Sequence, residues 1–254
     1  MPGTSRGASQ HLRQTSDIIG KDSEKLRSAP THRSYPSPKG DLRQGATQTQ
    51  TVGRLKIHKV FNMNSTIILI GPLGAGKSTV GHLLAEKLGL PQCSVDEVRW
   101  KYYEEIGYDK VLASKIAKSD QGVRGKLRYS KPFEVHVVER VLSDHSCGII
   151  DFGASNSVYD DELLFSRVEN ALAPYPNVIL LLPSSDPDES VEILNARLTH
   201  ILKAKGEEIN NELFDLNEYF IKHPSNHQLA KIVIYTKDRT PEEIRDEILQ
   251  KLVQ

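Results

Sequence analysis

Short apolar runs alternate with amphipathic stretches along the chain from Thr66 onwards. The apolar runs have the length of strands, and the amphipathic stretches have the length and spacing of crossover helices. This alternation predicts a parallel sheet with helices on both faces, in one doubly wound α/β domain. The predicted strands are Thr66–Ile70, Gln92–Val95, Gly148–Phe152, Val178–Leu182 and Lys231–Tyr235. The predicted helices are Lys77–Leu88, Asp96–Ile106, Phe133–Leu142, Asp160–Leu172, Pro187–Lys203 and Pro241–Leu252.

Two regions interrupt this alternation. The segment Asp109–Lys131 is rich in Lys and Arg, and Ala204–Asn226 is polar and ends in "HPSN". Insertions at the carboxyl edge of a doubly wound sheet surround the ligand crevice, so we expect both regions to act as lids. The basic segment could clamp an anionic acceptor, or it could be a solvated charged face.

A phosphate-binding motif lies between the first predicted strand and the first predicted helix. The sequence "GPLGAGKS" fits G-x-x-x-x-G-K-[ST] in the strand-to-helix context that this motif requires. Backbone N–H groups of such a loop and the helix N-terminus bind phosphate oxygens. The residues assigned to a nucleoside triphosphate are Gly71, Pro72, Leu73, Gly74, Ala75, Gly76, Lys77, Ser78 and Thr79.

The side chains of this motif have separate expected roles. Lys77 would contact the β and γ phosphates, Ser78 would ligate Mg²⁺, and Thr79 could bind the α-phosphate. The motif alone does not distinguish a kinase from a GTPase or an ATP-driven machine. The sequence "TKDR" at Thr236 differs from a guanine-reading T-K-x-D because its aspartate comes one residue early, which weakens the GTPase interpretation.

Asp96 follows the second predicted strand and is the candidate acceptor-side residue. At that turn its carboxylate could accept the proton of a substrate hydroxyl, or it could only cap the following helix. Arg99, Trp100 and Tyr103 share its helical face. They could contact the substrate, but Trp100 and Tyr103 could equally be packed core, and Arg99 could simply pair with Asp96.

Asp151 ends the apolar run "CGIID" beside the predicted position of the phosphate loop. An aspartate there could hold Mg²⁺ through water, and Gly153 would then permit close approach of a substrate. The alternative is a strand-end aspartate that caps a turn. In the polar region, His223 and Asn226 could contact phosphate or substrate, or they could belong to a turn around Pro224.

The stretch "GPLGAGKSTVGHLLAEKLGLPQCSVDEV" resembles the shikimate kinase family, within the nucleoside monophosphate kinase group of P-loop kinases. The resemblance spans roughly Thr66 to Leu252. It implies a three-layer α/β/α P-loop NTPase domain with a five-stranded parallel sheet in the order 2-3-1-4-5. It also implies Mg-ATP, a substrate-binding region after the second strand, and a lid.

By this resemblance, Asp96 occupies the second aspartate of a D-x-D substrate motif, whose first aspartate is replaced by Ser94. Glu134 stands where the family has an arginine for the substrate carboxylate. Arg197 resembles the arginine that packs on adenine, and the lid arginine has no counterpart except, by position, Lys203 or Lys205. The donor half is therefore family-like and the acceptor half is not, so we expect an acceptor other than shikimate.

These residues predict an ATP-dependent kinase for a small-molecule hydroxyl, with Lys77 and Asp96 as catalytic residues. The cofactors are ATP and Mg²⁺, and Ser78 and Asp151 are the metal residues. Asp96, Arg99, Trp100 and Gly153 are the candidate substrate residues. The alternative is a regulatory P-loop ATPase that binds nucleotide without phosphorylating an acceptor.

Composition divides the chain into two parts. Residues 1–60 hold eleven Lys and Arg against four Asp and Glu, whereas the remainder holds 22 against 29. Ser, Thr, Gln, Gly and Pro intersperse this basic part, which predicts a disordered tail or an extension before a kinase domain at 62–254. A targeting peptide is the other interpretation, although four acidic residues weaken it.

The cysteines and the apolar runs indicate the compartment and the classes of partner. The two cysteines, Cys93 and Cys147, show neither a CxxC motif nor a Cys/His cluster, which indicates a reducing compartment and favours the cytoplasm. No apolar run is long enough for a transmembrane helix. We expect ATP and a small molecule as partners, and neither nucleic acid nor membrane, and the sequence leaves the oligomeric state open.

Deletion of residues 1–60 tests the division. We expect the melting temperature and the affinity for ATP to stay nearly unchanged, because that composition cannot bury a core. Thermal unfolding and nucleotide titration of the full and shortened chains provide the measurement. A large fall in melting temperature would show that the tail is part of the fold.

Overall fold

The computed structural model describes residues 66–145, 148–207 and 211–252. The predicted tail at 1–60 lies outside these described residues. The strands are β1 (Ile67–Ile70), β2 (Gln92–Ser94), β3 (Ile149–Asp151), β4 (Val178–Leu182) and β5 (Ile232–Tyr235). The helices are α1 (Lys77–Leu88), α2 (Val95–Glu105), α3 (Lys110–Ala117), α4 (Gly122–Asp144), α5 (Glu162–Leu172), α6 (Pro187–Lys205), α7 (Asn211–Lys222), α8 (Ser225–Leu229) and α9 (Pro241–Leu252).

The strands form one five-stranded sheet in the order β2-β3-β1-β4-β5, and every neighbouring pair is parallel. The predicted fold class and strand order are confirmed. Asp151 at the end of β3 pairs in register with Leu69 of β1 and with Ser94 of β2. The strand order reverses between the adjacent strands β1 and β3. The loops that follow these two strands therefore lie side by side at the carboxyl edge of the sheet, where this fold class binds ligands.

Alternation along the strands divides the core into two layers. Ile68 and Ile70 of β1 belong to a cluster with side chains of α2, α4 and α5, whereas Ile67 and Leu69 belong to one with side chains of α1 and α9. Both faces of the sheet are therefore covered, which explains why its strands read as continuous apolar runs. Cys93 is a free cysteine buried in the first cluster, and Cys147 lies outside the described residues.

The two regions that interrupt the sequence pattern are largely helical, which pattern reasoning missed. Asp109–Lys131 contains α3 and the first part of α4, and Ala204–Asn226 contains the end of α6, all of α7 and the start of α8. Helix α4 runs for 23 residues with Pro132 inside it, although proline made a start at Phe133 the natural expectation. None of the described helices combines the length and the apolar character of a membrane span.

Helices α7 and α8 fix the loop that follows β3. The buried side chain of Asn226 accepts a hydrogen bond from Ser157 Oγ at 2.7 Å and donates one to the Phe220 carbonyl at 2.7 Å. Ser225 Oγ accepts from the Tyr159 N–H at 3.4 Å and donates to the Tyr159 carbonyl at 3.3 Å. The "HPSN" sequence therefore holds the loop between Gly153 and Asp160 against the end of α7.

Substitution of Asn226 tests this attachment. Asn226→Leu should lower the free energy of unfolding by about 1–3 kcal/mol, because it leaves a buried hydroxyl and a buried carbonyl without partners. Urea denaturation measures the loss, and His227→Ala is the control because His227 is exposed on the same helix. Equal stability of the two variants would contradict the assigned role.

Candidate active site

The phosphate loop connects β1 to α1 at the centre of the carboxyl edge. Gly71 has φ 138°, and a Cβ atom there would lie 2.6 Å from the Leu181 carbonyl oxygen of β4. Gly76 occupies the N-cap of α1 with φ 89°. Side chains are therefore strained at both positions and sterically blocked at the first, and the loop passes close to β4 while the N-terminus of α1 opens towards the crevice.

Lys77 lies inside the curve of this loop. It is 8% exposed, and its ammonium donates hydrogen bonds to the carbonyls of Gly71 at 2.7 Å and Pro72 at 2.9 Å. Burial lowers the pKa of Lys77 to about 8, and the nearby carboxylates of Asp96 and Asp151 oppose that shift. The predicted lysine thus lies between the loop and the two predicted aspartates.

The carboxylate of Asp151 joins the loop to the neighbouring strand. Ser78 Oγ donates to Asp151 Oδ1 at 2.8 Å, and Ser94 Oγ donates to the same oxygen at 3.0 Å. Gln92 Nε2 donates to Asp151 Oδ2 at 2.8 Å. The two predicted metal residues are therefore adjacent, in the hydroxyl and carboxylate arrangement that holds Mg²⁺ beside nucleotide phosphates.

Asp96 lies in the first turn of α2, one residue inside the helix. The N-cap is Ser94, whose hydroxyl bonds to Asp151, so the interpretation of Asp96 as the helix cap is wrong. Arg99 Nη1 donates to Asp96 Oδ1 at 3.0 Å. Half of the Asp96 side chain is exposed, but desolvation in the crevice raises its pKa despite Arg99 and Lys77, which favour the charged form.

Gly153 brings the loop after β3 against Asp96. A Cβ atom at this glycine would lie 2.6 Å from Asp96 Oδ1 and 2.7 Å from Asn156 Oδ1. A larger residue at this position would have to displace the side chain of Asp96 or Asn156. Asp96, Arg99 and Gly153 are therefore brought together on one wall of the crevice, as the sequence indicated.

The aromatic residues on α2 belong to a packed cluster. Tyr103 is 4% exposed, and its ring centroid lies 5.4 Å from that of Trp100 and 4.7 Å from that of Tyr108. Trp100 is half-buried beneath cations, with Arg99 Cζ at 5.2 Å and Lys110 Nζ at 4.8 Å from its ring centroid. Trp100 thus supports the wall by packing, and its contact with a substrate stays a prediction.

The other side of the loop meets α6 and α7. Arg197 Nη1 lies 3.5 Å from the Gly74 carbonyl, consistent with a place beside the nucleotide. Asn217 of α7 is fully buried, and its amide accepts from the Leu73 N–H at 2.9 Å and donates to the Leu73 carbonyl at 3.4 Å. Helix α7 is therefore attached directly to the phosphate loop.

His223 and Asn226, in the "KHPSN" stretch, use their side chains within the protein. His223 Nδ1 accepts from the Ser225 N–H at 3.2 Å, so Nε2 carries the proton and donates to Asp160 Oδ1 at 3.1 Å. Asn226 is buried and uses its amide within the protein. These contacts favour a structural role for both residues, although Asn226 lies in helix α8 and not in a turn.

Sequence reasoning missed several polar residues of the crevice, namely Gln92, Lys131, Ser155, Asn156 and Asn217. Gln92 lies at the start of an apolar strand, and Asn156 and Ser155 follow the glycine turn, but such positions are common to loops. Lys131 was grouped with a basic surface segment, although it is 8% exposed. Its burial has no signature in the sequence because it depends on the Ser155 carbonyl and the Tyr159 ring, which lie far along the chain.

The five-stranded parallel sheet and the phosphate loop define a P-loop NTPase-like α/β domain. No family model matches the chain. It is 28% identical over 179 residues to the shikimate kinase of Streptomyces coelicolor, which covers 70% of this chain and 90% of that protein. It is 29% identical over 192 residues to the shikimate kinase of Enterococcus faecalis, covering 74% of this chain and 98% of the relative.

A solved structure agrees in fold. Shikimate kinase from Acinetobacter baumannii in complex with shikimate has a TM-score of 0.52 and 21% identity, covering 77% of this chain and 96% of that one. The curated relatives, the strand order and the phosphate loop make this chain similar to the shikimate kinases, which are P-loop kinases.

The depressed pKa of Lys77 gives a pH-dependent stability. The folded lysine loses its proton near pH 8, whereas the unfolded one keeps it to about pH 10.5, so between these values the unfolded state binds more protons. Stability from this group therefore rises with pH in that window. Without nucleotide, wild type should gain stability relative to Lys77→Met between about pH 7 and about pH 9.

Urea denaturation at both pH values measures the free energy of unfolding of wild type and Lys77→Met, and the prediction concerns how the difference between them changes with pH. Lys87→Met is the matched control, since Lys87 is an exposed lysine in the last turn of the same helix. A gap between wild type and Lys77→Met that does not change with pH would show that the buried lysine is not responsible.

Proposed function

We propose that this protein is an ATP-dependent phosphotransferase that phosphorylates a hydroxyl group of a small molecule other than shikimate. The observation that carries the proposal is the convergence of Lys77, the Ser78–Asp151 pair and Asp96 on one crevice at the carboxyl edge. Kinase relatives at 28% and 29% identity support the class of reaction.

The donor half fits Mg-ATP. The loop presents backbone N–H groups at the N-terminus of α1, and Lys77 lies where its ammonium can exchange the carbonyls of Gly71 and Pro72 for phosphate oxygens. Ser78 and Asp151 would hold Mg²⁺, Asp151 through water. The bound Mg-ATP would supply the phosphoryl group and neutralise its charge, and Lys77 would stabilise the charge that develops on transfer.

The acceptor half centres on Asp96. A carboxylate whose pKa is raised by desolvation is a better proton acceptor than an exposed one. Arg99 bonds to Asp96 Oδ1 and fixes the carboxylate, and Gly153 leaves space beside it. Asp96 would orient the acceptor hydroxyl in line with the γ-phosphate and take its proton.

The regulatory alternative gains no support from these observations. A protein that only binds nucleotide has no use for a carboxylate held beside the loop at the cost of desolvation. The relatives named above are kinases, which also favours transfer to an acceptor.

Substitution of Asp96 tests the mechanism. Asp96→Asn removes the charge and the proton-accepting capacity, so phosphotransfer should fall by roughly 10² or more. The affinity for ATP should persist, and stability should change little because Asp96 is not the helix cap. Turnover with a metabolite extract, nucleotide titration and thermal unfolding provide the three measurements.

Glu97→Gln is the matched control, an exposed carboxylate on the next residue of the same helix, and it should keep full turnover. A fully active Asp96→Asn enzyme would remove Asp96 from the mechanism.

A further inference from the structure

A closed charge network lies beside the acceptor wall. Lys131 and Glu134, one turn apart on α4, form an ion pair with Nζ and Oε2 2.7 Å apart, and their side chains are 10% and 5% exposed. Ser155 completes the network, since its hydroxyl donates to Glu134 Oε1 at 2.7 Å and its carbonyl accepts from Lys131 Nζ at 2.6 Å. Both carboxylate oxygens of Glu134 are thus hydrogen-bonded.

The ammonium of Lys131 has a third neighbour. The ring centroid of Tyr159 lies 4.8 Å from Lys131 Nζ, at the distance of a cation–π contact. A carboxylate, a carbonyl and an aromatic face therefore surround the three N–H groups of Lys131. A ligand anion could bind this cation only by displacing one of them.

The network and Asp96 form one continuous wall. Ser155 belongs to the same short turn as Gly153 and Asn156, which lie against Asp96. Glu134 is close enough to add to the raised pKa of Asp96 and to that of Tyr103, although desolvation is the larger cause for both. The acceptor wall thus carries two carboxylates and two cations, which are paired as Arg99–Asp96 and Lys131–Glu134.

We propose that the acceptor carries no anionic group and is a polyhydroxylated compound, neutral or cationic, selected by the Lys131–Glu134–Ser155 network beside Asp96. This inference rests on the proposed phosphotransfer. A carboxylate or phosphate on the acceptor would face Asp96 and Glu134 while the neighbouring cations are already bound to them. It would meet like charge, or it would have to open a buried ion pair, which leaves an uncompensated charge behind.

Hydroxyl groups suit the same wall. They can donate to the carboxylate of Asp96 without a change in net charge. The rings of Tyr103, Tyr108 and Phe133 pack together behind α2, with centroids 4.7–5.8 Å apart, and they give the wall a rigid apolar backing.

Fractionated metabolites test the acceptor class directly. A heat-treated cell extract is separated on an anion exchanger into unretained and retained compounds, and each fraction is incubated with the full chain, Mg²⁺ and ATP labelled at the γ-phosphate. We expect label to enter compounds of the unretained fraction, at least about tenfold above the retained one, a ratio that corresponds to about 1.4 kcal/mol of discrimination. Lys77→Ala gives the background.

The outcomes separate the two proposals. Label mainly in the retained fraction would overturn the inference about charge and leave the kinase function standing. Label in neither fraction would contradict phosphotransfer itself and, with it, the inference.

A charge variant tests the assigned residues. Glu134→Gln frees a positive charge at the wall, so the ratio of label between unretained and retained fractions should fall by about tenfold while the KM for ATP stays the same. Glu139→Gln is the control on the same helix, because Glu139 pairs with Arg167 at the surface. An unchanged ratio in Glu134→Gln with a normal KM for ATP would overturn the role of the network.

Discussion

The buried carboxylate of Asp151 is the constraint on which the rest of the site depends. A charge in this position, 2% exposed, is tolerated only when its oxygens are hydrogen-bonded. The donors come from the first turn of α1 and from both ends of β2, through Ser78, Ser94 and Gln92. Satisfying one carboxylate therefore fixes the phosphate loop, the edge strand and the start of α2 relative to one another.

The acceptor wall follows from that arrangement. Since Ser94 directs its hydroxyl to Asp151, helix α2 begins without a side-chain cap, and Asp96 in its first turn points to Arg99 and Gly153. The loop after β3 then continues to Ser155, which closes the Lys131–Glu134 pair. The proposed donor and acceptor halves are thus built from neighbouring segments, each held by its own hydrogen bonds.

Helices α7 and α8 hold the two loops that border the crevice. Asn217 bonds to the backbone of Leu73 in the phosphate loop, and Asn226 holds the loop after β3. Leu216 and Phe220 of α7 pack with Ala154 and Val158 of that loop. The polar region Ala204–Asn226 therefore connects the two loops that border the crevice. A movement of α7 would displace both loops.

The sequence by itself determined the sheet, its order through the family resemblance, the phosphate loop and the place of Asp151 at the end of a strand. The strands and the position of Asp151 follow from local periodicity, and the phosphate loop follows from a motif of contiguous residues. Only the tertiary structure decided that Ser78 bonds to Asp151, that Asp96 is not the helix cap, that the two interrupting regions are largely helical, and that Lys131 is buried. Those properties depend on partners far apart along the chain, as with Ser94 and Asp151 or Lys131 and Ser155, and side-chain pairing of that kind leaves no periodic trace in a single sequence.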